Sequence, residues 1–214
     1  MGKVAIVLGA TGLVGGHLAK LLCRSNEFSS IICPTRRKLN FEHKKLHNPQ
    51  INFDQLEKHR ELFKGDCLFS CLGTTRKQAG SIAAQRKVDY DYQLEAAKIA
   101  QFNQVKHFLL VSSSGANSRS RSPYLKMKGD LEEAVIKLEF SKVTILQPSL
   151  LLGARDHIRL AEELGAKLLP ALCLLPGLKS YKPIKGKDVA LKLLNSSLSQ
   201  QSGLIRYRLD EVFP

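Results

Sequence analysis

The chain has 214 residues, and its 33 lysines and arginines outnumber its 19 aspartates and glutamates, which gives a net charge of +14 at pH 7. This length suits one well-packed α/β domain and is short for two, and the 43% of hydrophobic residues exclude a disordered chain. A membrane helix needs roughly 20 apolar residues, but Lys167, Pro170 and Pro176 interrupt the longest apolar run, at 164–178, so no membrane span is predicted.

The first residues and the cysteines bear on the cellular compartment. The chain enters an apolar strand without a charged and apolar leader, so we expect a cytoplasmic protein. The five cysteines are odd in number and lack metal-like spacing, which argues against a disulfide framework. Cys67 and Cys71 fall at even spacing in a predicted buried strand, so we expect both to pack into the core on one face.

A glycine-rich turn near the N-terminus is the first candidate site. The apolar run 4–8 predicts a strand, and Gly9, Gly12 and Gly15 follow it at the start of a predicted helix, 14–23. Without a Cβ atom, these glycines allow a sharp turn, close approach of a pyrophosphate, and close packing of the helix on the strand. Since the N–H groups at a helix start favour phosphate, the turn predicts a dinucleotide-binding site.

Apolar runs that resemble strands alternate with helical stretches along the rest of the chain. This alternation predicts parallel strands joined by right-handed crossovers. We therefore expect an α/β fold, a Rossmann-like doubly wound sheet with helices on both faces and ligands at the carboxyl ends of the strands. The predicted strands are 4–8, 30–34, 51–53, 66–72, 107–111, 143–148 and 204–209, and the predicted helices are 14–23, 89–100, 124–138, 158–169 and 189–194.

We predict one NAD(P)-binding domain over 1–214, with a cofactor-binding core at about 1–155. Residues from about 156 to 214 would form a small substrate or lid region and add a final strand to the sheet. Within this part, 172–176 either packs on the core, which we favour, or lines the substrate pocket. Asp188 is the predicted cap of the last helix.

The residues after the second strand predict which dinucleotide fits. NAD-binding proteins commonly carry an acidic residue there, which accepts hydrogen bonds from the ribose, whereas this chain has Arg36 and Arg37. A guanidinium group clamps a 2′-phosphate through charge-assisted bonds, and a carboxylate would repel it. We therefore predict NADP(H) rather than NAD(H). The alternative is that the two arginines only form a solvated charge run.

The candidate catalytic residues follow the fifth predicted strand. Tyr124 and Lys128 are four residues apart and therefore share one face of the predicted helix, and three serines, at 112–114, end the strand before it. An ammonium group beside a phenol stabilises the phenolate, and a serine hydroxyl can hold a carbonyl or alcohol oxygen. This set predicts proton exchange by Tyr124 while a nicotinamide exchanges hydride.

Together these motifs resemble the atypical short-chain dehydrogenases/reductases. More closely, the chain is similar to bacterial-type relatives of the Tat-interacting-protein oxidoreductase family, from the first strand to about Arg159. That resemblance implies a Rossmann-like fold and bound NADP(H). It rests on the stretches 71–76 (Cys-Leu-Gly-Thr-Thr-Arg), 88–92 (Val-Asp-Tyr-Asp-Tyr), 106–108 (Lys-His-Phe) and 124–132 (Tyr-Leu-Lys-Met-Lys-Gly-Asp-Leu-Glu).

The resemblance also implies roles for individual residues. Tyr124 and Lys128 would hold the nicotinamide ribose as well as exchange the proton. Ser113 is the favoured orienting serine, with Ser112 toward the cofactor and Ser114 as the alternate. The implied cofactor contacts are Gly9, Thr11, Gly12, Leu13, Val14 and Gly15 at the pyrophosphate, Arg36 and Arg37 at the 2′-phosphate, Leu72, Gly73 and Thr74 near the adenosine ribose, Leu151 behind the nicotinamide, and Arg159, or else Arg155, from the following loop.

One residue departs from the family pattern. Relatives often carry arginine where this chain has Gln147, directly before Pro148. The exchange removes a charge from the floor of the predicted active site. We expect the substrate preference to differ accordingly.

The first functional hypothesis is an NADP(H)-dependent oxidoreductase that acts on a small carbonyl or alcohol substrate. A hypothesis from another class is an NADPH-binding sensor or assembly protein that acts through a protein partner without turnover. An epimerase or dehydratase that uses the cofactor transiently is a third. The chain fits either a monomer or a homodimer.

Two other kinds of partner receive little support. The basic residues are scattered, and the chain has no tryptophan, which argues against nucleic acid. The six histidines lack the spacing of a zinc site, and we expect them at the surface. No metal is predicted.

Overall fold

A computed structural model of the protein describes residues 2–152 and 182–214. The strands in these ranges are β1 (Lys3–Leu8), β2 (Phe28–Ile32), β3 (Leu46–His47), β4 (Cys67–Ser70), β5 (His107–Val111), β6 (Lys142–Gln147), β7 (Leu151–Leu152), β8 (Ile184–Lys185) and β9 (Gly203–Arg208). Seven of them form one sheet in the order β3-β2-β1-β4-β5-β6-β9, and every adjacent pair in it is parallel. This is the predicted doubly wound sheet.

Helices cover both faces of the sheet. They are α1 (Leu13–Arg24), α2 (Arg76–Ala79), α3 (Ile82–Arg86), α4 (Tyr92–Phe102), α5 (Pro123–Ile136) and α6 (Gly186–Leu198), together with 3-10 segments at Phe53–Phe63 and Leu209–Val212 and a π turn at Lys87–Asp91. The core on one face includes apolar residues of α1 and α6. The core on the other face includes those of α4, α5 and the first 3-10 segment.

Strand β4 shows how the sheet supplies both cores. Cys67 and Phe69 point into the core with α1 and α6, while Leu68, between them, points into the opposite core. Cys71 packs against the same core as Cys67, as the even spacing predicted. Burial raises the pKa of the Cys67 thiol to about 12, so this thiol stays protonated and acts as a small apolar group.

The predicted third strand, 51–53, is wrong. The structure instead pairs Leu46–His47 with β2 and starts a 3-10 segment at Phe53. The side chain of Asn52 accepts a hydrogen bond from the N–H of Asp54, and this cap favours a helical start over an extended chain. Ile51 and Phe53 are buried all the same, so their apolar character reflects the core and not a strand.

The last helix differs from prediction in its cap. Val189, Ala190 and Leu193 of α6 are buried against the sheet as expected. The N-cap is Lys185, however, and Asp188 lies in the first turn. Its carboxylate there interacts favourably with the positive end of the helix dipole but does not cap the helix.

Several sequence-based predictions lie outside the described residues. These are the helix at 158–169, the apolar segment at 172–176, and the loop arginines at 155 and 159. Among the helices that the structure describes, none is long and apolar enough to cross a membrane.

His107, at the start of β5, contradicts the expectation of surface histidines. Its ring is 5% exposed, and Nε2 lies 2.9 Å from the hydroxyl of Thr144 on β6. Burial, together with the nearby ammonium groups of Lys142 and Lys3, lowers the pKa of His107 to about 3. His107 is therefore a neutral core residue.

The buried imidazole predicts a specific dependence of stability on pH. The pKa of His107 is about 3 in the fold, against about 6.5 in the unfolded chain. Between these two pKa values the unfolded chain binds a proton at His107 that the folded chain does not bind, which favours unfolding. Above about pH 6.5 the imidazole is neutral in both states, so the free energy of unfolding keeps its full value. Below about pH 6.5 the free energy of unfolding falls by up to about 1.4 kcal/mol for each pH unit toward pH 3.

We expect His107→Asn to remove this slope from the free energy of unfolding, measured by urea denaturation from about pH 4 to 7. The exposed His47 gives the matched control, because His47→Asn should keep the slope of the unmodified protein. An unchanged slope in His107→Asn would contradict the assignment.

Candidate active site

The carboxyl ends of the parallel strands bring the predicted site residues to one edge of the sheet. Leu8 of β1 pairs with Ser70 of β4, and Ser70 pairs with Leu110 of β5, so the loops that follow these strands begin side by side. The glycine turn follows β1, the two arginines follow β2, Leu72 to Thr74 follow β4, and the three serines follow β5. A ligand at this edge would meet all four loops.

Two glycines make the turn after β1 possible. Gly9 has a φ of +79°, and a Cβ atom there would lie 2.5 Å from the carbonyl oxygen of Cys71, after β4. A Cβ atom on Gly15 would overlap the carbonyl of Gly9. The turn therefore packs directly on both its neighbours, the end of β4 and the first turn of α1.

The start of α1 has the geometry of an anion site. Gly12 is the N-cap in an extended conformation, and no side-chain cap and no acidic residue occupies the first turn. Gly16 donates the first helical hydrogen bond, to the carbonyl of Gly12. The N–H groups of Leu13, Val14 and Gly15 precede this ladder at the positive end of the helix dipole, which fits a pyrophosphate.

The loop that carries Arg36 and Arg37 is fixed by a residue that the sequence analysis missed. Asn48 donates hydrogen bonds of 2.7 Å to the carbonyl of Cys33 and to the hydroxyl of Thr35, and it accepts one of 2.8 Å from the N–H of Leu39. Both arginines are exposed on this loop. No ion-pair partner of either guanidinium occurs in the described ranges.

A buried ion pair joins the π turn Lys87–Asp91 to helix α5. Oδ1 of Asp89 lies 3.4 Å from Nζ of Lys128, and the residues are 0% and 3% exposed. Oδ2 of Asp89 accepts a hydrogen bond of 3.3 Å from the N–H of Thr74. Gly73 passes so close that a Cβ atom there would touch Asp89. Asp89 thus fixes both the loop after β4 and the Lys128 ammonium group.

The π turn Lys87–Asp91 places Asp89 in the interior. Gln93 on α4 donates a 2.9 Å hydrogen bond to the carbonyl of Asp89, and its own amide oxygen accepts one of 2.7 Å from Ser70 at the end of β4. Single π turns occur often at functional sites. The motif Val-Asp-Tyr-Asp-Tyr at 88–92 contained Asp89, but its spacing does not reveal a partner at Lys128.

Tyr124 and Lys128 lie one helical turn apart on α5, as predicted. Tyr124 is half-buried. The loop before it lies on the helix, where the N–H of Asn117 donates to the carbonyl of Leu125 at 3.1 Å. A Cβ atom on Gly129 would overlap this loop. Helix and loop therefore form one packed unit beside the site.

The three serines differ in their surroundings. Ser112 is buried, and its hydroxyl donates to Oε1 of Glu132 on α5. Its side chain thus points inward, although we had expected it toward the cofactor. Ser113 is half-buried, with its hydroxyl 3.4 Å from the carbonyl of Ser114. Ser113 stays the predicted orienting serine.

Leu151, the residue expected behind the nicotinamide, lies in β7 and pairs with Ile184 of β8. It is half-buried and packs against the core that contains α1. Thr11 lies in the turn before α1. No cluster of three or more metal-binding side chains occurs in the part of the chain that the structure describes.

Comparison with known proteins identifies the family. Residues 5–173 match the family described as "Epimerase: NAD dependent epimerase/dehydratase family". The chain belongs to the NAD-dependent epimerase/dehydratase family. Protein HTATIP2 of Rattus norvegicus is 38% identical over 174 residues, which are 79% of this chain and 72% of that protein. This similarity confirms the resemblance to the Tat-interacting-protein family.

Other members of the family correct one expectation. Protein FMP52, mitochondrial, of Candida glabrata is 35% identical over 218 residues, which are 96% of this chain and 91% of that protein. FMP52 proteins of other yeasts are also named as mitochondrial. The expectation of a cytoplasmic protein is therefore wrong.

Solved structures confirm the fold. MoeE5 in complex with UDP-glucuronic acid and NAD superposes with a TM-score of 0.76 at 16% identity, over 97% of this chain and 76% of that one. The oxidoreductase ylbE from Lactococcus lactis gives a TM-score of 0.57 at 20% identity, over 71% of each chain.

The buried ion pair of this family member predicts a large effect of charge removal. Asp89→Asn should lower the free energy of unfolding by about 3 kcal/mol, because it leaves the Lys128 ammonium group buried without a counter-charge. The double variant Asp89→Asn/Lys128→Met should recover much of this loss, which urea denaturation would measure.

The exposed Asp91 gives the control, since Asp91→Asn should stay within about 0.5 kcal/mol of the unmodified protein. Equal stability of Asp89→Asn and the unmodified protein would show that the pair is not coupled.

Proposed function

We propose that this protein is an NADP(H)-dependent oxidoreductase of the atypical short-chain dehydrogenase/reductase type, which transfers hydride to or from a small carbonyl or alcohol substrate. One observation carries the proposal. The N-terminus of α1, the loop with Arg36 and Arg37, and the segment with Tyr124 and the buried Lys128 follow strands β1, β2 and β5, whose carboxyl ends lie at the same edge of the sheet.

The start of α1 and the basic loop support binding of a phosphorylated dinucleotide. The N–H groups of Leu13, Val14 and Gly15 would bind the pyrophosphate. Arg36 and Arg37, exposed on a loop that Asn48 holds, would bind the 2′-phosphate through bidentate bonds. The residues after β2 include no acidic side chain until Glu42, whose carboxylate pairs with Lys38 at 2.9 Å.

The residues of α5 support the chemistry. A bound nicotinamide would supply or accept the hydride. The Tyr124 hydroxyl would give its proton to the carbonyl oxygen during reduction and take it back from the alcohol during oxidation. Lys128, which Asp89 holds in place, would provide positive charge beside that phenol and bind the ribose. Ser113 would hold the substrate oxygen.

The phosphate contacts predict a measurable preference between cofactors. Calorimetric titration should show NADPH binding more tightly than NADH, and the double variant Arg36→Ala/Arg37→Ala should reduce this preference at least about tenfold. The reason is the loss of charge-assisted bonds to the 2′-phosphate, with binding of NADH almost unchanged.

The control for this titration is Lys38→Ala, which removes a neighbouring charge that is already paired with Glu42. Its preference should match that of the unmodified protein. Binding of neither dinucleotide, or an unchanged preference in the double variant, would refute the assignment of the cofactor.

Removal of the Tyr124 hydroxyl should separate binding from turnover. With a panel of aldehydes, ketones and quinones, Tyr124→Phe should lower the rate of NADPH oxidation about 10²- to 10⁴-fold, because the substrate oxygen loses its proton donor. The dissociation constant for NADPH should change about tenfold at most, since one hydrogen bond to the ribose is lost.

Tyr92→Phe is the matched control. Tyr92 lies at the start of α4, and its hydroxyl donates a 2.6 Å hydrogen bond to Asp54 of the 3-10 segment, which is not part of the proposed site. NADPH binding without oxidation by any substrate of the panel would favour the sensor instead. Full activity of Tyr124→Phe would show that another group exchanges the proton.

A further inference from the structure

A largely buried polar cluster joins the serine loop, which follows β5, to α5, β6 and β9. We call Ser112, Glu132, Gln147 and Arg206 the Glu132 cluster. Glu132 is 4% exposed and accepts hydrogen bonds from the Ser112 hydroxyl and from Nε2 of Gln147, at 2.9 Å on one oxygen and 3.0 Å on the other. Nε of Arg206 lies 3.6 Å from Oε2 of Glu132.

Arg206 provides the full positive charge in this cluster. A buried carboxylate is costly unless a counter-charge and hydrogen bonds compensate it, and the amide of Gln147 contributes only a dipole. Arg206 comes from β9, where it pairs with Ile145 of β6.

Glu132 also completes the attachment of the serine loop. The main chain of this loop is bound to the end of β6, since the N–H of Ser112 donates to Leu146 at 2.8 Å and that of Ser114 donates to Pro148 at 2.9 Å. The hydroxyl of Ser112 adds a bond to α5, the helix that carries Tyr124. The loop is therefore fixed to both the sheet and the catalytic helix.

From these contacts we propose that Glu132 and Arg206 are positioning residues for the serine of the active site. Arg206 holds the carboxylate of Glu132 in place, Glu132 holds Ser112, and this orientation aims the next residue, Ser113, at the substrate oxygen. The inference rests on the proposed function, because only turnover needs an aimed serine. It assigns β9 a part in catalysis.

The experiment combines hydrogen exchange with kinetics. Glu132→Gln and Arg206→Met should speed amide exchange in the peptide that covers 112–116, where the hydrogen bonds of the loop lie. With a carbonyl that the unmodified protein reduces, kcat should fall about tenfold or more, while the KM for NADPH stays within about twofold. Arg206→Lys, which keeps the charge, should restore part of kcat.

Arg208→Met is the matched control, since Arg208 lies two residues further along β9 and is exposed. It should change neither exchange nor kcat. Should Arg206→Met fail to fold in thermal unfolding, Glu132→Gln decides, because glutamine keeps the shape of the side chain.

Unchanged exchange at 112–116 in these variants would overturn the proposal. Faster exchange along the whole chain would also overturn it, because that pattern means general loss of stability. If the unmodified protein reduces no carbonyl, the proposed function is wrong. Amide exchange at 112–116 then tests only whether Glu132 and Arg206 hold the serine loop in place.

Discussion

The close contact of backbone at Gly9 is the constraint on which the site depends. The turn after β1 touches the carbonyl of Cys71 on one side and the first turn of α1 on the other. Because no side chain separates them, the start of α1 lies beside the loop after β4. That loop contacts Asp89, and Asp89 contacts Lys128. An uninterrupted series of contacts therefore runs from the predicted phosphate site to the predicted proton-transfer site.

Helix α5 holds two buried charges, and both are paired with distant parts of the chain. Lys128 pairs with Asp89 before α4, and Glu132 pairs with Arg206 of β9. Buried ion pairs add little net stability over apolar residues, but loss of one partner is costly. Such pairs tolerate few alternative positions of the helix. The orientation of Tyr124 on the same helix is thereby defined from two sides.

Regular patterns made much of the fold predictable, and long-range contacts did not. The glycine spacing after 4–8 and the apolar runs at 107–111 and 143–148 led to the parallel sheet, since each pattern is local. The two-residue strand β3 is too short to show an alternation of apolar and polar residues. Ile51 and Phe53 led to a wrong strand prediction because they are apolar for burial in the core. Asp89, Asn48 and Glu132 were missed because each finds its partner only in the fold, where charge and spacing along the chain give no signal.

The glycine at the start of α6 has a consequence for how the protein is made. Gly186 lies against Leu13, so that α6 covers α1, and Lys3 and Lys142 reach carbonyls near the end of α6. Helix α1 is thus covered in part by a helix that is synthesised only after strands β2 to β8. The part of α1 that α6 covers stays exposed until then, and contacts of such long separation slow folding. A nascent chain of this protein is therefore expected to need protection from aggregation until α6 has been made.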